Sequence, residues 1–165
     1  MKNMEIEKKY TIKKLPENLE QYECKVIKQA YLNTSPVVRI RQSNDKYILT
    51  YKGEGLMARE EYNLPLNKEA FEHLLSKADG NIISKKRYII PLDNPRFDDT
   101  CPSVIAPMLN IELDIFDAPF APLTMAEVEF PNIELAHAFI APDWFDEDVT
   151  NNLEYHNSNL SMRKF

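Results

Sequence analysis

This chain predicts an α+β fold built on an antiparallel sheet, and three observations carry that expectation. One device recurs along it: two like-charged residues separated by a single residue, at Glu5/Glu7, Arg39/Arg41, Lys85/Arg87, Glu112/Asp114 and Glu127/Glu129. Apolar residues alternate with these pairs, as in Met4/Ile6, Val38/Ile40, Tyr88/Ile90, Ile111/Leu113/Ile115 and Val128/Phe130. Only one long segment, near residues 68–78, carries a clear helical period instead. In a strand, residues i and i+2 share a face, so each pair sets two like charges roughly 7 Å apart opposite an apolar face. A face that only has to be wet mixes its signs. Segregated acid and base pairs look like receptors for cations and anions.

The elements follow in order. Met4 to Lys9 reads as the first half-buried strand, with Glu5, Glu7 and Lys9 on one side. Leu15-Pro16-Glu17-Asn18-Leu19 reads as a short helical turn, with Pro16 tolerated at its start. Residues 25–32 and 37–42 are strands broken by Asn33-Thr34-Ser35-Pro36. Residues 47–52 continue the sheet, with Ile48, Thr50 and Lys52 on one face. Gly53-Glu54-Gly55 turns the chain, and 59–64 answers with another strand carrying Arg59 and Glu61. The helix over 68–78 has Asn67 as N-cap, Gly80 beyond its C-terminus, and an apolar stripe of Ala70, Phe71, Leu74, Leu75 and Ala78 suited to covering the sheet. After the Lys85/Arg87 strand, three prolines within 93–107 mark a long loop. Strands around 111–115 and 127–130 and short helices near 133–139 and 155–162 complete the chain.

With 165 residues and 44% hydrophobic content, one domain over 1–165 is expected. A formal net charge of −6 argues against general nucleic-acid or anionic-membrane binding, so any anion site must be local. No run approaches the length of a membrane span. The charged start, Met1 to Lys9, is unlike a signal peptide, which makes the cytoplasm the default location. Cys24 and Cys101 lack metal-type spacing and read as structural. His73, His137 and His156 are scattered, which argues against zinc.

The charged face collects Lys9, Arg39, Arg41, Lys52, Arg59, Lys85 and Arg87 against Glu5, Glu7, Glu61, Glu112, Asp114, Glu127 and Glu129. Turned inward in a closed barrel, such groups demand a ligand, because unpaired buried charge is costly. Carboxylates in number favour a hard divalent ion, Mg²⁺ or Mn²⁺. Arginines and lysines in number favour phosphate, which guanidinium groups grip through paired hydrogen bonds. Together they suit polyphosphate transfer, where positioning and charge neutralisation dominate.

Glu5-Ile6-Glu7-Lys8-Lys9 resembles the ExExK signature that opens the CYTH superfamily, the triphosphate tunnel metalloenzymes. The resemblance runs on in order through Arg39-Ile40-Arg41, Tyr51-Lys52-Gly53, Arg59-Glu60-Glu61, Lys85-Lys86-Arg87, Glu112-Leu113-Asp114-Ile115-Phe116 and Ala126-Glu127-Val128-Glu129. It implies an eight-stranded antiparallel β-barrel with helices packed outside and a triphosphate bound in the lumen. By position, Glu5, Glu7, Glu127 and Glu129 match metal ligands, with Glu5, Glu7 and Lys9 in catalytic positions. Lys9, Arg39, Arg41, Lys52, Arg59, Lys85 and Arg87 match the phosphate-gripping set. Glu61, Glu112 and Asp114 match a second metal site, water-orienting groups or ion-pair partners of the bases. Lys8, on the opposite parity, is expected outside.

Three readings stay open: a metal-dependent triphosphatase acting on tripolyphosphate or an organic triphosphate, an adenylate cyclase of class IV type, and a polyphosphate- or nucleotide-binding module without catalysis. The chain departs from the family at Asn63, Asn152 and Glu154, where many relatives carry an acid, an aspartate and an arginine, and at Ile111, where an aromatic is common. Its 93–107 loop is longer than usual. Apolar outer faces such as Val38/Ile40 and Tyr88/Ile90 suit either helix packing or a homodimer.

Overall fold

The computed structural model describes residues 4–100 and 108–165. In chain order the strands are β1 (Met4–Ile12), β2 (Glu23–Thr34), β3 (Val37–Ser43), β4 (Lys46–Lys52), β5 (Ala58–Leu66), β6 (Asp79–Leu92), β7 (Arg96–Phe97), β8 (Leu109–Phe116), β9 (Thr124–Glu129), β10 (Phe139–Ile140) and β11 (Phe145–Asp148). Helix α1 (Lys68–Leu75) follows β5, α2 (Ile133–Ala138) follows β9, and α3 (Asn157–Ser161) lies near the C-terminus. The main sheet runs β1-β5-β4-β3-β2-β6-β8-β9, and β9 pairs back onto β1. This eight-stranded antiparallel barrel has no free edge, which removes the row of unpaired backbone groups that an open sheet presents. β11 adds to β1 outside the closure, and β7 pairs with β10 in a separate two-stranded sheet.

Local chemistry sets the hairpins. Asn44 holds φ 53° in the two-residue turn between β3 and β4, a left-handed conformation that asparagine tolerates and tight hairpins need. Gly55 holds φ +126° between β4 and β5, where a Cβ would collide with the Ala58 carbonyl oxygen.

The apolar outer face of the barrel is covered by the chain's own helices. Phe71 of α1 is buried against Ala30 and Ile40, flanked by Tyr47, Leu49 and Leu74. Asn67 caps α1, its side chain accepting from the Ala70 N–H at 2.7 Å, as its sequence position predicts. Ile90, Ile111, Leu113, Ala126, Val128 and Phe130 pack with Leu135, Ala136 and Phe139 over the β6-β8-β9-β1 side, with Tyr88 against them. Ile40 and Ile90 therefore serve helix packing. A third cluster joins the inward residues Tyr31, Val37, Ile83, Phe116 and Met125 to Val149 and Leu160, so the C-terminal segment packs against one end of the barrel.

Several boundaries differ from the sequence expectation. The early turn is a 3₁₀ segment at Leu19–Gln21, displaced because Asn18 takes a left-handed conformation just before it. α1 stops at Leu75, and β6 begins at Asp79. Gly80 therefore caps no helix. With φ +72° it lets β6 approach the Ser161 carbonyl so closely that a Cβ would clash. The 155–162 helix resolves into a 3₁₀ turn, Leu153–Tyr155, and the shorter α3. Part of the 93–107 loop forms β7; residues 101–107, including Cys101, lie outside the described residues. Cys24 is half-buried with a free thiol.

Candidate active site

Register turns the charge pairs into one lumen. Facing residues in neighbouring strands include Glu7 with Glu129, Lys9 with Glu127, Glu5 with Arg59, Lys52 with Glu61, Glu112 with Glu127 and Arg87 with Asp114. Opposed residues point to the same face, so all of these turn inward. They surround a cavity of about 280 Å³. Every site residue expected from the sequence lines it except Lys85 and Asp114, which lie deeper along the same strands and are fully buried. Lys8 points away and pairs with Asp148 at 3.3 Å, as its parity predicts.

The acids occupy one wall, and two lysines hold most of them. Lys9 Nζ donates to Glu127 at 2.8 Å and Glu7 at 3.3 Å. Lys52 Nζ donates to Glu5 at 2.6 Å and lies 3.2 Å from Glu61. Burial works against the Lys9 charge, yet Glu127 and Glu7 hold it well above the ordinary lysine range. Glu127 correspondingly sits far below the usual carboxylate range, because Lys9 and Arg87 outweigh its burial. Glu129 differs. It has no ion-pair partner among the described residues, and burial together with the charges of Glu5, Glu112, Glu7 and Glu61 pushes its carboxyl up to about 7. The wall holds more negative charge than its lysines neutralise at that point.

The opposite wall is basic and largely unpaired. Arg39, Arg41 and Arg59 line the cavity, and none forms an ion pair among the described residues. Arg39 reaches only the Thr50 hydroxyl, at 3.4 Å, and its buried Nε has no partner. Arg41 Nε donates to Gln29 Oε1 at 2.7 Å. Burial, then the neighbouring Arg39 and Arg87, pull the Arg41 guanidinium down to about 9, which marks a site short of negative charge. Arg87 is the exception: its guanidinium clamps Asp114 through Nε at 2.7 Å and Nη2 at 2.8 Å, and Nη1 donates to Glu112 at 2.8 Å. Lys85 donates to the same Asp114 at 2.7 Å.

Sequence reasoning missed Tyr31 and Val37 in the cavity wall, and it reaches Asn157 and Ser158 only as part of the 148–160 segment that resembles the family's closing lid, without naming them as site residues. Tyr31 lies on β2, which carries no charge pair, Val37 is an apolar residue opening β3 ahead of Arg39, and the C-terminal pair reaches the lumen only through tertiary packing. His156 is structural, its buried Nε2 donating to the Thr150 carbonyl at 2.8 Å. Thr150 in turn accepts from the Lys9 backbone N–H at 3.1 Å, tying this segment to β1.

The CYTH domain model matches residues 3–154. The chain belongs to the CYTH family. An inorganic triphosphatase of Nitrosomonas europaea is 32% identical to this CYTH chain over 161 residues, covering 96% of this chain and 97% of its own. An inorganic triphosphatase of Acetivibrio thermocellus is 33% identical over 128 residues, covering 74% and 70% respectively. A crystal structure of an inorganic triphosphatase superposes on this CYTH barrel with a TM-score of 0.67 at 30% identity, covering 97% of this chain and 95% of that one.

CYTH triphosphatases depend on a metal ion, and the donor set here fits a hard one. Glu5, Glu7, Glu127 and Glu129 offer carboxylate oxygens alone, without histidine or cysteine. Among the described residues no three such groups converge tightly enough to hold an ion as they stand. A lysine holds one oxygen, Oε1, of each of Glu5, Glu7 and Glu127, while Glu129 carries the uncompensated charge.

Proposed function

We propose that this CYTH protein hydrolyses inorganic tripolyphosphate, releasing orthophosphate, with Mg²⁺ or Mn²⁺ as cofactor. The observation that carries the reading is the division of the lumen into a wall of unpaired arginines, Arg39, Arg41 and Arg59, and a wall of carboxylates ending in Glu129. A condensed phosphate with a divalent ion supplies both missing charges at once. Both relatives described above, named inorganic triphosphatases, support the same substrate.

Wall chemistry favours an inorganic substrate. The cavity of about 280 Å³ is lined mainly by charged side chains, and Tyr31 is the one aromatic in its wall among the described residues. A nucleotide base finds little to stack on, which weighs against the cyclase reading. In this mechanism Arg39, Arg41 and Arg59 hold the phosphate oxygens through charge-assisted hydrogen bonds, and Lys52 and Lys9 neutralise charge along the chain. Glu5, Glu7, Glu127 and Glu129 would hold the divalent ion, which supplies charge neutralisation at the reacting phosphoryl group. Arg87, locked by Asp114 and Glu112, presents a fixed positive edge. Because these groups are pre-set by the barrel ladder, little reorganisation is needed when charge redistributes toward the leaving phosphate.

The test is product analysis with purified protein, Mg²⁺ or Mn²⁺, and tripolyphosphate, thiamine triphosphate or ATP in parallel. Metal-dependent orthophosphate from tripolyphosphate, lost in Glu5→Ala and strongly reduced at sub-saturating substrate in Arg39→Ala, is the expected result. Cyclic AMP with pyrophosphate from ATP, or binding without turnover, overturns it.

A further inference from the structure

Asn157 is buried, lies on α3 outside every strand of the barrel, and still lines the cavity. Its orientation is decided by chemistry. Lys85 Nζ, an obligate donor, approaches Asn157 at 3.4 Å, so the amide oxygen must face Lys85. Reversing the amide would set donor against donor. The Nδ2 group, carrying two N–H donors, is thereby turned from Lys85, and no protein acceptor takes it among the described residues. Lys85 cannot fill the same role itself: it is fully buried, pinned to Asp114 at 2.7 Å and lying 5.1 Å over the Phe116 ring.

The geometry points to Asn157 as a substrate-contacting residue: its Nδ2 donates to a phosphate oxygen of the bound triphosphate, and Lys85 is the positioning residue that orients it. This rests on the triphosphatase reading above. It transfers Lys85 from the phosphate-gripping set to the support behind it. The lumen gains a neutral donor, which adds a directional contact without further charge repulsion among the arginines. The segment is held for this purpose from two sides. Asn81 Nδ2 donates to the Leu160 and Arg163 carbonyls at 3.3 and 2.6 Å, and His156 anchors to Thr150.

The experiment is calorimetric titration of the full chain with sodium tripolyphosphate in EDTA, for wild type, Asn157→Ala and Asn157→Asp. Asn157→Asp keeps an oxygen facing Lys85 and so preserves the fold, but replaces the donor by a negative group. Affinity is expected to fall about threefold to tenfold for the alanine variant. It is expected to fall about tenfold or more for the aspartate variant, through added like-charge repulsion. In turnover the loss should appear in KM more than in kcat. The wild-type Asn157 side-chain ¹⁵N–¹H resonances, assigned by their absence in Asn157→Asp, should shift on saturation with tripolyphosphate. Variants that bind within twofold of wild type, or wild-type resonances that do not move, overturn the assignment even if melting temperatures change. Wild-type protein that neither binds nor hydrolyses tripolyphosphate overturns the triphosphatase reading itself, and that outcome is separate from any effect of residue 157.

Discussion

Replacing Asp114 by asparagine tests the buried charge network that supports the lumen. Asp114 is fully buried, accepts from Lys85 at 2.7 Å, and accepts from Arg87 at 2.7 and 2.8 Å. Asparagine keeps the shape but removes the charge, leaving, among the described residues, Lys85 without a carboxylate partner and Arg87 with only Glu112 at 2.8 Å and Glu127 at 3.4 Å. Breaking a buried pair by removing one partner costs about 3–5 kcal/mol, because the remaining charge is uncompensated. Lys85 moderates this. Burial, only partly offset by Asp114, already brings its ammonium down to about 8, so without Asp114 it sheds its proton readily. The loss should fall near the lower end, about 3 kcal/mol. For a chain of this size that corresponds to roughly 6–12 °C in Tm, at about 2–4 °C per kcal/mol. Urea unfolding and thermal melts at pH 7 measure it. Asp114→Asn/Lys85→Met should recover a large part of the loss, with a coupling of about 2 kcal/mol or more in the double-mutant cycle. A single variant within about 1 kcal/mol of wild type, or two losses that simply add, would refute the reasoning.

Arg39→Ala should raise the KM for tripolyphosphate about tenfold to a hundredfold, from loss of charge-assisted hydrogen bonds, while leaving Tm equal to or above wild type. A buried cation without a counter-ion costs stability, so a clear fall in Tm would contradict that account. Glu129 gives a pH signature. Its folded carboxyl titrates at about 7 against an ordinary 4.5, so the folded state binds the extra proton and stability is lost as pH rises through 7. Metal-free protein should melt lower at pH 8 than at pH 6, Glu129→Gln should flatten the decline, and an unchanged slope in that variant would reject the assignment. Lys8→Ala breaks only the half-exposed pair with Asp148, so stability should change by less than about 1 kcal/mol and hydrolysis not at all, as melts and rates will show.

Parity was legible in the sequence, and depth was not. Alternation in Lys85-Lys86-Arg87 and Glu112-Leu113-Asp114 correctly assigns Lys85 and Asp114 to the inner face. Only register shows Asp114 opposite Arg87 and Lys85 opposite Phe116, with the Lys85–Asp114 pair made diagonally behind the lumen and Arg87 and Glu112 in its wall. Charged pairs mark strands whose inner face lines the lumen. They say nothing of β2, whose Gln29 and Tyr31 face inward through pairing with Arg41 and Arg39. Asn157 was hidden for another reason: its place depends on a carbonyl at Ser161 meeting a glycine in β6, some eighty residues away, and no local period encodes such a contact. Helix α1 was plain because cap, stripe and length agreed. Its end was not, because Gly80 had a tertiary role that imitates a C-terminal stop.

The polarity of the lumen comes from strand order. Arg39 and Arg41 on β3, Lys52 on β4 and Arg59 on β5 follow one another through consecutive hairpins, so the basic groups run across three adjacent strands, interrupted by Glu61, which faces Lys52. The acid wall needs the ends of the chain. β1 sits between β5 and β9, which brings Glu5 and Glu7 from the first strand beside Glu127 and Glu129 from the last barrel strand. Closure of the barrel and assembly of the carboxylate set are therefore the same event, and a variant that opens the β1–β9 seam loses both together. It also reconciles a net charge of −6 with an anion site. Lysines reach across to neutralise most of the acid wall from within, whereas no carboxylate reaches Arg39, Arg41 or Arg59 among the described residues. The interior thus keeps a local positive face inside an acidic protein, the field that the proposed polyanionic substrate would meet.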